Sequence, residues 1–416
     1  MRKMKDSGVA WIGEMPEDWT VKRGKFTLKL LNRPVKETDD VITCFRDGEV
    51  TLRTNRRTDG FTVSVKEIGY QGIEPGDLVI HGMDGFAGSI GISDSRGKSS
   101  PVLVVCDTDE NKRYIMYYLR SMAYNDVFTA LATGIRVRSC DLRWNKLAEL
   151  PYILPSLEEQ NQIVLAIESS TSKVDALISN VQAQIEKLKA YKQSLITEVV
   201  TKGLDPNVPM KDSGVEWIGE IPKCWNMVRG KALFEECDAR SDDGSEELLT
   251  VSQYTGVTPR SQKSVNMFES TTLEGYKICE VGDIAANTMW LWAGAIGVSK
   301  YRGVISPSYN VYRQKEIKYI SSYLDCLLRI PLLVQEYASR STGIRASRLR
   351  LYPKDFMDIM FPVPPIEEQK TIMDILGKKI DMVNQMISIK QSKIEKLELY
   401  KRSLIYEYVT GKKEVS

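Results

Sequence analysis

The 416-residue sequence holds a single histidine, His81, and seven cysteines without a Cys-x-x-Cys pair, so it lacks the ligand pattern of a zinc site. An odd number of cysteines also argues against a disulfide framework, and Cys44, Cys106, Cys140, Cys224, Cys237, Cys279 and Cys326 are read as reduced thiols. No run of about 18 apolar residues exists to span a bilayer. The early basic residues Arg2 and Lys3 are not followed by the apolar stretch of a secretory signal, so a cytoplasmic location is expected. A basic tail is missing too: the net charge is +2, and any phosphate binding must come from local arginine clusters on a near-neutral body.

Catalytic motifs are equally scarce. The stretch Gly91-Ile-Ser-Asp-Ser-Arg-Gly97-Lys98-Ser99 imitates a phosphate-cradling loop, but it has five residues between its glycines where the motif has four. There is no N-P-P-Y, D-P-P-Y or G-x-G-x-x-G segment for a methyl donor or dinucleotide. Glu368-Gln-Lys370 has nuclease-like spacing but sits at a helix start, and His81, as a lone base, has Asn287 as its counterpart in the repeat described next. Neither a catalytic nor a metal-ligating set is expected.

What is present is a duplication. Residues 4–25, MKDSGVAWIGEMPEDWTVKRGK, recur 206 positions later as MKDSGVEWIGEIPKCWNMVRGK, identical at 15 of 22 places. Residues 76–101 match 282–307 at the same offset and keep the Gly-Asp, Ala-Gly, Arg-Gly and Ser-Pro pairs. From Thr133 the offset is 209: Thr-Gly-Ile-Arg recurs at 342–345, Glu-Glu-Gln at 367–369, and IEKLKAYKQSLITEVVT at 185–201 matches IEKLELYKRSLIYEYVT at 394–410.

Each copy reads as an α+β segment followed by a long helix. Short apolar runs at 76–80 and 101–106 predict strands, while 113–122 and 317–329 predict amphipathic helices. Ser156-Leu-Glu-Glu159 has capping-box spacing, and nothing breaks a helix until Gly203, giving about 45 residues or roughly 70 Å. Positions Val174, Ile178, Val181, Ile185, Leu188 and Leu195 repeat in steps of four and three; Val383, Ile387, Ile394, Leu397 and Leu404 do the same in copy two. Lys192, Lys390 and Lys401 interrupt the two seams. A 3.5-residue period demands a partner helix, and pairing the two helices antiparallel within one chain buries both seams. The expected division is a domain at 1–155, a helix at 156–203, a linker and second domain at 204–365, a helix at 366–411 and a tail at 412–416. Homologous domains joined by antiparallel helices are expected to be related by a pseudo-two-fold axis.

Arginines gather in loops: Arg53, Arg56 and Arg57; Arg136, Arg138 and Arg143 after the first Thr-Gly-Ile turn; Arg340, Arg345, Arg348 and Arg350 around the second. Guanidinium forks suit phosphate oxygens and guanine edges. Between Gly76-Asp77 and Ala87-Gly88 lies LVIHGMDGF, and in the matching frame IAANTMWLW, so His81, Asp84 and Phe86 stand opposite Asn287, Trp290 and Trp292. A fixed frame with exchanged side chains is what two readers of different base sequences need.

The duplicated W-I-G-E-x-P…W openings, the P-x-[LI]-E-E-Q entries into long helices and the T-G-I-R turns resemble the specificity subunits of type I restriction-modification systems, over nearly the whole chain. The resemblance implies two target-recognition domains, each reading half of a bipartite double-stranded DNA site, held apart by an antiparallel coiled coil. It also implies two modification subunits carrying S-adenosylmethionine chemistry, and restriction subunits using ATP and Mg, with no cofactor in this chain. A tandem coiled-coil adaptor for protein partners is the other reading of the duplication.

Overall fold

A computed structural model describes residues 2–56, 67–130, 142–263, 272–343 and 349–415. The chain divides into two compact units, Met1–Gln182 with Gln391–Ser416, and Ala183–Lys390.

In the first unit, the run Leu78-Val79-Ile80 has no polar alternation, the pattern of a strand covered on both faces. It lies inside a four-stranded antiparallel sheet ordered Lys29–Leu30, Leu103–Asp107, Leu78–His81, Ile90–Ile92. Successive side chains alternate faces. Leu78, Ile80, Ile90, Val104 and Cys106 therefore meet Tyr114, Ile115, Tyr118, Leu119 and Met122 of the helix Lys112–Tyr124. Val79, Leu103 and Val105 face the opposite way, onto Ile73 and the hairpin Ile42–Cys44/Val50–Leu52. Asn111 caps the helix, its side chain accepting from the Arg113 and Tyr114 amides at 2.9 and 3.1 Å.

The second unit repeats this plan with strands Phe234–Cys237, Asn310–Gln314, Ile284–Ala286 and Ile296–Val298. Ile284 and Ala286 join the helical core, while Ala285 and Val311 face the hairpin Leu249–Ser252/Gly256–Pro259. The helix expected at 317–329 is shorter here, Ser321–Leu328. The Gln314 side chain accepts from the Lys318 and Tyr319 amides and holds those residues in a loop. Pro331, which lacks the amide a helix interior needs, opens a separate helix, Pro331–Arg340.

The long helices are Leu157–Lys202 and Ile366–Val409. Only half of the capping box forms: the Glu159 amide donates to Ser156 Oγ at 3.3 Å, but the Glu159 carboxylate turns away to the Trp19 indole at 3.0 Å and to Arg2. Glu368 takes the Trp225 indole in the same way at 2.9 Å. The glutamine of each Glu-Glu-Gln is fully buried. Gln160 accepts from the Asn111 amide and donates to the Pro155 carbonyl, and Gln369 accepts from the Ile320 amide and donates to the carbonyls of Lys318 and Pro364. Each glutamine thus locks the start of a long helix to the start of a domain helix.

Each unit contains one stretch of both long helices, paired antiparallel. In the first unit Lys401 donates to Asp175 at 2.7 Å; in the second Lys192 donates to Asn384 at 2.9 Å and Lys390 to Gln184. Residue numbers rise along one helix as they fall along the other. The three lysines that interrupt the seams therefore end on acceptors across the pair. Val174, Val181, Ile185, Leu195, Val383, Ile394 and Leu404 are buried. Ile178, Leu188, Ile387 and Leu397 are only half-buried, because two helices cover less than the full width of a seam.

The loop imitating a phosphate cradle is a strand: Gly97–Ser99 pairs with Gln71–Ile73, and Lys98 donates to Glu67 at 2.8 Å. Six cysteines are free thiols, and burial pushes Cys44, Cys106 and Cys279 up to about 12; Cys140 lies outside the described residues.

Candidate nucleic-acid interface

The strands Leu78–His81 and Ile284–Ala286 run into turns with one backbone geometry. The Ala87 amide donates to the Asp84 carbonyl at 2.9 Å and the Ala293 amide to the Trp290 carbonyl at 3.0 Å. Gly88 and Gly294 follow with φ of +94° and +87°, the left-handed region that a side chain disfavours. The Ile90 and Ile296 amides then close each turn onto those glycine carbonyls at 2.7 and 2.9 Å.

Two of the expected reading residues support these turns from within. His81 Nδ1 accepts the amides of Asp84 at 2.9 Å and Met83 at 3.3 Å. Asn287 Oδ1 accepts the Met289 amide at 3.2 Å, and its Nδ2 donates to the Tyr309 hydroxyl at 2.8 Å. Asn287 is buried, so it braces the turn and presents no amide to a ligand. Burial lowers the His81 pKa, with Arg46 acting in the same direction and Asp84 opposing.

The outward positions differ. Asp84 is bound by Arg46 Nη2 at 3.0 Å, with the two side chains 37% and 67% exposed. Trp290 occupies the equivalent place, 51% exposed, and stacks on Trp292 at 5.7 Å and 25°. Trp292 Nε1 donates to the Met289 carbonyl at 2.9 Å, which fixes the lower ring. Phe86, the counterpart of Trp292, is partly buried against the helical core.

Beside each turn stands the hairpin and, after it, a short 3-10 turn opening on an arginine. The Arg53 amide donates to the Val41 carbonyl and the Arg260 amide to the Leu248 carbonyl, both at 2.8 Å. Arg260 escaped the sequence reading; its signal is Val-Thr-x-Arg, at 50–53 and 257–260. The hairpin tips are held from the domain helices: Arg120 Nη2 donates to the Asp47 carbonyl at 2.6 Å, and Arg329 Nη2 to that of Tyr254 at 2.7 Å. Arg56 is spent within its own hairpin, on Asp47 at 2.7 Å, Glu49 at 2.9 Å and the Phe45 ring at 4.2 Å.

The other arginines are less convergent. Arg143 is exposed at the start of the short helix Trp144–Leu147. Arg340 binds Glu336 at 2.6 Å along its own helix, and Arg350 pairs through its backbone with Thr342. Arg57, Arg136, Arg138, Arg345 and Arg348 lie outside the described residues. No group of three or more His, Cys, Asp or Glu able to hold a metal occurs among the described residues, and no described helix is long and apolar enough to cross a membrane.

The architecture is that of a tandemly duplicated α+β protein with a long-helix pair in each unit. Two curated relatives from Methanocaldococcus jannaschii match it almost end to end. They are the putative type I restriction enzyme MjaX specificity subunit, 24% identical over 96% of this chain and 95% of the relative, and the type I restriction enzyme MjaVIII specificity subunit, 23% identical over 96% and 93%. A solved chain from work on complex assembly and conformational transition of the type I R-M system shares the fold. Its TM-score is 0.63 at 15% identity, over 95% of this chain and 99% of that one. No family model matches the sequence. Over nearly its whole length the chain is thus similar to proteins named as type I restriction enzyme specificity subunits.

Proposed function

We propose that this chain is the non-catalytic, DNA-reading subunit of a type I restriction-modification complex, each unit recognising one half of a bipartite duplex site. The observation that carries the reading is the pair of turns at 82–88 and 288–294: one hydrogen-bonded frame, two sets of outward side chains. Core repacking explains exchanged buried residues but not exchanged exposed ones. Arg53 and Arg260, recurring beside the turns, suit phosphate contacts that hold the duplex without reading it.

On this reading methyl transfer belongs to two modification subunits that bring S-adenosylmethionine, and cleavage to restriction subunits that bring ATP and Mg. The second long helix offers those partners an apolar stripe, with Ile375, Met382, Met386 and Ile389 exposed at steps of seven, four and three. The test is methylome sequencing of a host with and without the gene, joined to duplex binding by the purified complex across a salt series. Loss of one bipartite methylation pattern with the gene, and binding that weakens steeply with salt, is the expected result. An unchanged methylome and no duplex binding would favour the protein-adaptor reading.

A further inference from the structure

Resting on the DNA-reading role proposed above, we infer that one equivalent position, Asp84 in the first unit and Trp290 in the second, selects a base pair in each half-site. The first unit takes a G·C pair by hydrogen bonding. The second takes an A·T pair by apolar contact with the thymine methyl.

The argument begins with the frame. Each turn is fixed by the same backbone bonds and by a polar side chain that accepts its amides, half-buried His81 or buried Asn287. The backbone therefore does not choose the residue at its tip. Nor does packing: Trp290 is 51% exposed, although water penalises an uncovered indole more than most side chains. A large apolar ring kept at a rigid tip is the mark of a contact surface.

Trp290 is also preorganised. Trp292 is anchored through its Nε1 to the Met289 carbonyl, and the two rings stack at 5.7 Å. The upper ring has little freedom left to lose on binding, which favours its use as an anchor. Its exposed neighbour Met289 widens the apolar surface. In the major groove the thymine methyl is the one apolar feature a base pair displays, so such a surface discriminates A·T from G·C.

The first unit presents the opposite chemistry at the same place. Arg46 and Asp84 form an exposed charged pair 3.0 Å apart, offering guanidinium donors and carboxylate acceptors side by side. Arginine donates to guanine O6 and N7, and a carboxylate accepts from cytosine N4, so the two groups answer the two sides of one G·C pair.

The experiment uses the chain assembled with its modification subunits, with methylation measured on a duplex library in which each base of the wild-type site is varied. Trp290→Ala is expected to lose roughly tenfold of its preference at a single A·T position of one half-site. Trp290→Phe, which keeps an apolar face, is expected to retain that preference. Asp84→Ala is expected to relax a single G·C position in the other half-site. The inference is overturned if wild-type complex reads a bipartite site but both alanine variants leave it unchanged, or weaken all sequences equally. Wild-type complex with no sequence preference overturns the DNA-reading role itself, which separates the two failures.

Discussion

The Tyr323 hydroxyl donates to the Val200 carbonyl at 2.7 Å, and its counterpart Tyr114 shares its one hydroxyl proton between the carbonyls of Val409 at 3.1 Å and Ile153 at 2.9 Å. Val200 and Val409 are themselves equivalent, each in the last turn of a long helix, where carbonyls have no partner in the helix. Both phenols are buried and their pKa values are raised well above 10, so they remain donors at any working pH. Tyr323→Phe leaves a buried carbonyl unsatisfied and is expected to cost about 1–2 kcal/mol, seen as a lower melting temperature. Tyr114→Phe removes one hydroxyl proton, which lies between the Ile153 and Val409 carbonyls, and is expected to cost about the same 1–2 kcal/mol. Equal melting of both variants and wild type would show that the phenols do not hold the helix ends.

The helix pair was legible in sequence because a 3.5-residue period survives for eight positions in each copy, but its depth was not. Leu188 and Leu397 fit the period as well as Ile185 and Ile394 do, yet they are half-buried where the latter are buried. Ile185→Asp or Ile394→Asp is therefore expected to destabilise by about 2–5 kcal/mol, and the same change at Leu188 or Leu397 by distinctly less. Chemical denaturation of the four variants checks the order.

The repeated Glu-Glu-Gln marked a helix start, but nothing in spacing alone revealed that its glutamine is a buried bracket. That role depends on what the fold brings beside it, the amides at Asn111 and Ile320. Gln369→Ala leaves the Ile320 amide and the carbonyls of Lys318 and Pro364 without this partner. A loss of about 2–3 kcal/mol is expected, with Gln369→Glu also unfavourable because a carboxylate donates nothing. The turns at 82–88 and 288–294 were partly legible in the same sense: the shared glycines announced a common frame, but His81 and Asn287 looked like readers until the structure turned them inward. A wild-type melting curve for Gln369→Ala would remove the bracket role.

His81 gives the first unit a pH response that the second lacks. Burial holds its pKa below the ordinary 6.5, so on acidification the unfolded chain takes up this proton before the folded turn does. Stability contributed by the neutral ring is complete above 6.5 and declines as pH falls toward the lower folded value. Once protonated, Nδ1 no longer accepts the Asp84 and Met83 amides, while Asn287 does not titrate. If the first unit reads a half-site as proposed, selectivity there is expected to weaken only as pH falls below 6.5 and the other half-site to hold, with His81→Asn flattening the response. Equal loss at both half-sites would remove His81 as the cause.

Exchange of residues 20–155 for the equivalent segment of a type I specificity subunit is the broadest test. The structure explains why that cut is clean: Thr20–Arg23 pairs antiparallel with Pro151–Leu154, Thr20 opposite Leu154, so the two ends of the exchanged piece meet in one strand pair. Trp19 and Glu159, which bond at 3.0 Å, stay behind on the host side together with Gln160. Several contacts cross the cut and constrain the donor, which must keep Tyr114, whose hydroxyl reaches the Val409 carbonyl, and the residues at 110, 111 and 113 that meet Gln160, Asn161 and Glu168. A donor meeting those conditions is expected to melt cooperatively and to change one half-site of the methylation pattern while the other stays as it was. If the pattern changes in both halves, or in neither, the two units do not divide the reading between them.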